Sequence, residues 1–272
     1  SALTMKRRDF ALTLPALAAH IIGGEMRYAY VGPGVAPNSK IYRITLILFR
    51  GDDPSGAQLA PFYVVGVYNN DNGAKIIGTA ANNNWQVTQD IPPGIQSVPI
   101  VLPTCIQGAP SLNYTYASYS MTIELPVNQG GYTAAYQTCC RINGMMNVGN
   151  STGSTYNCII PGTNLLPTGD DSSPRFQAPV NVICRNAPFT LNFSATDPDA
   201  TDSLAYSLCF AYNGGASVNA GFDDPAGPPY GSVNYTNPFN AGNPFGTGAT
   251  IDRQTGVISG IAPDFGKYVV SV

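Results

Sequence analysis

Apolar residues recur at every second position through much of the chain. In the run at 41–49, Tyr42, Ile44, Leu46 and Leu48 fall on one face. Arg43 and Thr45 open the other face, and Ile47 and Phe49 follow. This pattern predicts a strand half-buried at its start and fully buried toward its end. The run at 62–68 reads the same way. Met121, Ile123 and Leu125 alternate with Thr122 and Glu124, and Phe189, Leu191 and Phe193 with Thr190 and Asn192. Tyr268 to Val272 is expected to close the chain as a strand. Val, Ile, Thr and Tyr suit a pleated surface, and Asn72-Gly73, Asn143-Gly144 and Asn213-Gly214 supply hairpin chemistry between the runs. No helical period of any length follows residue 20. The expected fold class is all-β, with two disulfide-stabilised, Ig-like β-sandwich domains.

The polar stretch Thr168-Gly169-Asp170-Asp171-Ser172-Ser173-Pro174 reads as a domain edge. It divides the chain into an N-terminal β-sandwich at 20–176 and an Ig- or cadherin-like sandwich at 177–272. Charged residues are only 11% of the 272 and hydrophobic ones 44%, enough apolar content for a core. With a formal net charge of −3, nothing draws the chain to nucleic acid or to an anionic membrane. No stretch after the N-terminal segment has the roughly 18 apolar residues of a membrane span. Residues 1–19 resemble an export signal: Lys6-Arg7-Arg8 is basic, the stretch from Phe10 to Leu17 is apolar, and Ala16-Leu17-Ala18-Ala19 offers small residues for cleavage. The expected location is extracellular, at the cell surface.

Six cysteines, Cys105, Cys139, Cys140, Cys158, Cys184 and Cys209, sit among these runs. In an exported chain they are expected to form disulfides. Cys184 and Cys209 both lie in the second module and are expected to pair. A bridge between the neighbours Cys139 and Cys140 is disfavoured by disulfide geometry. Each is therefore expected to reach for Cys105 or Cys158, in an order the sequence leaves open. No Cys-x-x-Cys spacing points to a metal site.

Asp197, Asp199 and Asp202 place three carboxylates in one turn, with Asp252 in the same module. Hard oxygen ligands at this spacing suit calcium, the one cofactor the sequence suggests; a plain polar turn with Asp accepting from backbone amides is the competing account. Asp223-Asp224, in a Gly/Pro-rich loop, is a weaker version of the same pattern, and Asp52-Asp53, just after a strand, reads as a solvated turn. His20, the single histidine, lacks the second histidine of an N-terminal copper clamp and the Gly-x-Ser-x-Gly context of a serine hydrolase. No catalytic constellation emerges, and the chain reads as a non-enzyme.

Four blocks carry a family resemblance. They are His20-Ile21-Ile22-Gly23-Gly24-Glu25-Met26-Arg27-Tyr28, then Gly131-Tyr132-Thr133-Ala134-Ala135-Tyr136-Gln137-Thr138-Cys139-Cys140-Arg141, then Ser194-Ala195-Thr196-Asp197-Pro198-Asp199, and last Ile251-Asp252-Arg253-Gln254-Thr255-Gly256-Val257-Ile258-Ser259-Gly260. Together they resemble the N-terminal region of large secreted Bacteroidetes surface proteins. That family often carries PKD-type repeats and a gliding-motility-associated C-terminal domain. The last block is similar to the closing half of cadherin-like and Ig-like modules. The resemblance implies a structural or adhesive protein of the bacterial surface: a fibre or filament subunit, or part of an adhesin. Its partners would be further copies of itself, other surface proteins or glycans. The run at 20–30 is a candidate donor strand for assembly. A carbohydrate-binding module and a calcium-rigidified spacer are the alternatives.

Overall fold

The computed structural model describes residues 21–51, 58–100, 102–105, 113–142, 144–150, 152–166, 170–177, 182–215 and 224–272. The expected export signal at 1–19, His20, Asp52, Asp53, Asn143, Val180 and Asp223 lie outside the described residues. Within them the protein is all-β, with a single 3-10 turn at Ala81–Asn83 and no α-helix.

Eight strands form the first sheet: β1 (Ile21–Pro33), β2 (Ser39–Arg50), β3 (Phe62–Asn69), β4 (Trp85–Gln89), β5 (Gln96–Ser97), β6 (Thr115–Pro126), β7 (Tyr132–Thr138) and β8 (Ser154–Ile160). Their order is β1-β2-β6-β4-β3-β7-β8, with β5 paired to β6. Every ladder is antiparallel. The sheet curls until β8 comes back beside β1. It is therefore nearly barrel-like, where the sequence suggested two facing sheets. β1 and β8 are separated by an even number of antiparallel steps, so they run in the same direction, and no ladder joins them.

The alternation seen in the sequence becomes the inside and outside of this curl. Tyr42, Ile44, Leu46 and Leu48 all point inward and are buried, as do Val65 and Val67 of β3, Tyr119, Ile123 and Leu125 of β6, and Tyr136 of β7. Each such side chain stabilises the fold by roughly 1.5–3 kcal/mol. Tyr63 packs edge-on to Tyr119 at 4.8 Å and to Tyr136 at 5.2 Å, a favoured aromatic geometry. At the seam the backbone comes too close for a side chain: a Cβ on Gly24 would stand 2.7 Å from the Ile47 carbonyl and 3.2 Å from Tyr156 Cε1.

β3 and β7 are buried on both faces. The outer face is covered by a loop from the second half of the chain. Tyr68 donates to the Pro225 carbonyl, Ala226 N–H donates to Gln137 Oε1 at 2.9 Å, and Lys75 pairs with Asp224. The continuous apolar run at 62–68 is the sequence trace of this two-sided burial.

Beyond the first sheet, β9 (Arg175–Phe176) pairs with β11 (Ala195–Thr196), and β10 (Pro188–Asn192), β13 (Val257–Ile261) and β12 (Thr250–Ile251) make a three-stranded sheet in that order. Phe189, Leu191, Phe245 and Ile258 centre its core. A third cluster joins Val148 to Ala211, Val233 and Val269, so the chain before residue 176 also contributes to the packing of the later half.

Two expectations change here. The run at 20–30 is no free donor: from Ile21 onward it is β1, paired along its length with β2. Tyr268 to Val272 forms no ladder. Asn147, fully buried, takes the place of a neighbouring strand for it. Its Nδ2 donates to the Val269 carbonyl at 2.7 Å and to the Pro244 carbonyl at 2.9 Å, and its Oδ1 accepts Val269 N–H at 2.9 Å. Substituting Asn147→Ala strands those buried backbone groups. The expected loss is about 2–4 kcal/mol in chemical denaturation, with Asn147→Asp nearly as costly because a carboxylate cannot donate to the two carbonyls.

Candidate functional site at the junction of the two halves

The outer edge of β1 faces the seam with backbone groups that β8 does not pair. An arm, residues 170–176, supplies the missing partners. Tyr28 N–H donates to Ser173 Oγ and Ser173 N–H to the Tyr28 carbonyl, each at 3.0 Å. Tyr30 N–H donates to Ser172 Oγ at 3.1 Å. The arm runs antiparallel to β1, with Phe176 reaching the Glu25 carboxyl through its backbone. Burial raises the Glu25 carboxyl above the usual range, against the opposing pull of Arg27.

The arm's two aspartates meet opposite surroundings. Asp170 is neutralised by Lys40 Nζ at 2.9 Å. Asp171 accepts a hydrogen bond from the Tyr28 hydroxyl and faces the turn at 197–202. In that turn Asp197 Oδ1 accepts Asp199 N–H at 2.8 Å, and Asp202 N–H donates to the Asp199 carbonyl at 3.0 Å. Asp199 Oδ2 accepts Ser172 N–H at 2.7 Å, which locks the turn to the arm. Asp171, Asp199 and Asp202 each offer a carboxylate oxygen, and these three oxygens lie within 4.8 Å of one another. None of the three carboxylates forms an ion pair among the described residues. Burial raises the Asp171 carboxyl; Tyr28 lowers it, and Asp199, Asp202 and Asp197 push it up further.

Of the four predicted ligands, Asp199 and Asp202 come together and Asp197 is spent on shaping the turn. Asp252 stands elsewhere. Its Oδ1 accepts Gln254 N–H at 2.9 Å and Thr255 N–H at 2.8 Å, and those bonds hold its carboxyl below the usual range. It builds the tight turn between β12 and β13. The residue the sequence missed is Asp171, which sits in a stretch that reads as a linker. Three oxygens within 4.8 Å of one another fall inside the span of a calcium ion's ligands, whose bonds are about 2.3–2.6 Å; water or second carboxylate oxygens must complete the six to eight required.

The cysteines also differ from expectation. Cys105 is bridged to Cys184 and Cys139 to Cys140. Cys158 and Cys209 are free. Cys209 does not meet Cys184 because its segment runs beside the chain's last residues: its N–H donates to the Ser271 carbonyl at 2.9 Å and its thiol lies 3.2 Å from Ser271 Oγ. Cys158 points into the barrel opposite Ala134, a strand's length from Cys139, so the neighbouring cysteines close on each other. Burial pushes the Cys158 thiol up to about 12.

No family model, curated protein or solved structure matches this chain.

Alkylation of the native protein is expected to label Cys209 rapidly and Cys158 only after unfolding, read by mass spectrometry of the peptides. Because the Cys158 thiol stays protonated when folded while an unfolded thiol ionises near its ordinary value of 9, its contribution to stability is complete below pH 9 and lost as the pH rises toward 12. In a Cys209→Ser background, going from pH 8 to pH 10 is expected to cost about 1.4 kcal/mol more with Cys158 than with Cys158→Ala.

Proposed function

We propose that this chain is a non-enzymatic structural or adhesive protein of the bacterial cell surface, acting as a fibre or filament subunit or as part of an adhesin. In this reading residues 1–19 direct export, the barrel-like sheet forms the first module, and 177–272 forms an Ig- or cadherin-like module. The observation that carries the reading is the Cys105–Cys184 bridge, which ties the two halves covalently across 79 residues. Such a bridge belongs to an oxidising compartment, and it suits a part whose task is to hold its shape. The sequence resemblance to secreted Bacteroidetes surface proteins points the same way. The partners are further copies of the chain, other surface proteins or glycans. Electron microscopy of the purified protein at high concentration tests the assembly: ordered fibres are expected, and isolated particles alone would count against it.

The cluster of Asp171, Asp199 and Asp202 favours one refinement, a calcium ion that stiffens the junction. At tenfold excess over its dissociation constant, calcium adds about 1.4 kcal/mol. For a chain of this size that corresponds to a rise in melting temperature of roughly 2–3 °C, lost on adding EDTA. The same melting temperature with calcium and with EDTA removes the refinement and leaves the structural reading in place.

A further inference from the structure

The Cys105–Cys184 bridge closes a covalent ring, and the ring holds three of the eight strands of the barrel-like sheet. β6, β7, β8, the arm and β9 lie inside it, β1 to β5 come before it, and β10 to β13 follow. The inner strands are held to the outer ones by noncovalent contacts, ladders and shared core: β6 to β2, β4 and β5, and β7 to β3. The arm is held to β1 in the same way, and β9 to β11. A pull on the two ends of the chain therefore meets a shortcut at residue 105.

We propose that the Cys105–Cys184 bridge is a tension-carrying staple. Once the ladders between inner and outer strands have parted, tension passes from β5 through the Cys105 sulfur to Cys184 and on into the second half, and residues 106–183 carry none of it. The proposal rests on and deepens the reading of the chain as a surface fibre or adhesin element, which is loaded along its length. The strands on the force path are β1 to β5 on one side and the short strands of β10 to β13 on the other. The arm and Asp171 sit inside the ring, so separation of the halves is limited by a covalent bond even after the Ser172, Ser173 and Asp199 contacts have given way. A dithiol reductant switches the staple off. It delivers two electrons and two protons, Cys105 and Cys184 become thiols, and the reductant ends as its own disulfide.

Single-molecule force spectroscopy on the full chain, held by handles at its two ends, tests this. The bridge spans 79 residues, and at roughly 3.6 Å per extended residue the reduced chain is expected to pull out roughly 280 Å further than the oxidised one. A Cys105→Ser/Cys184→Ser variant is expected to show the long extension without reductant and no further gain with it. Full extension is a property of the unfolded chain, so the variant reports even if it folds poorly. Equal lengths for the oxidised and reduced wild type, or a gain on reduction that persists in the variant, would overturn the proposal. The surface-element reading fails separately: a chain that passes this test and never assembles under the microscope keeps the staple and loses the fibre.

Discussion

A curled sheet has to do something about the place where it nearly meets itself. Here the two strands that come together, β1 and β8, run in the same direction and share no ladder. The outer edge of β1 then carries N–H and C=O groups with no strand to bond to, and unpaired backbone groups in a packed setting are costly. The arm at 170–176 resolves this with serine hydroxyls and one backbone amide in place of a full strand. Much of what distinguishes this molecule follows from that solution. The arm sits where it does because β1 needs it. The turn at 197–202 is held beside the barrel because Ser172 donates to Asp199. The carboxylates converge because Asp171 is carried into the same place.

The two halves are consequently not beads on a string. They share the Cys105–Cys184 bridge, the arm, the loop over β3 and β7, and the buried amide of Asn147. These ties differ in kind. The bridge limits how far the halves can part for as long as it stays oxidised. The hydrogen bonds set their mutual orientation and are individually weak, about 0.5–1.5 kcal/mol each. The carboxylate cluster opposes them, since three carboxylates without a basic partner repel one another, and whatever neutralises them tightens the junction.

The sequence displayed the parts of this fold that depend on local pattern and concealed those that depend on distant partners. The faces of β2, β6 and β10 were legible because a period of two sorts side chains before any partner is known. The closure of the sheet was not, because the approach of β8 to β1 is set by the sum of many strand pairings. Tyr268 to Val272 has the composition of a strand, yet its backbone bonds to a side chain, and no alternation distinguishes those cases. The cysteines were misread for a similar reason. Proximity along the chain suggested Cys184 with Cys209, while the fold brings Cys184 to Cys105. Two of the three carboxylates of the acidic site, Asp199 and Asp202, were visible in the turn at 197–202. Asp171 was hidden because an aspartate that binds and an aspartate in a linker look the same until Tyr28 and Asp199 are placed around it.

The pairing of Asn147 with Val269 also bears on how the chain is made. A ribosome releases residue 147 long before residue 269, and for that interval the amide and the apolar side of Val148 have no cover. The later half cannot finish its core until the segment around Val269 arrives to meet this one side chain. A nascent chain interrupted shortly before Val269 thus presents a raw, sticky surface, the sort that chaperones hold and proteases cut.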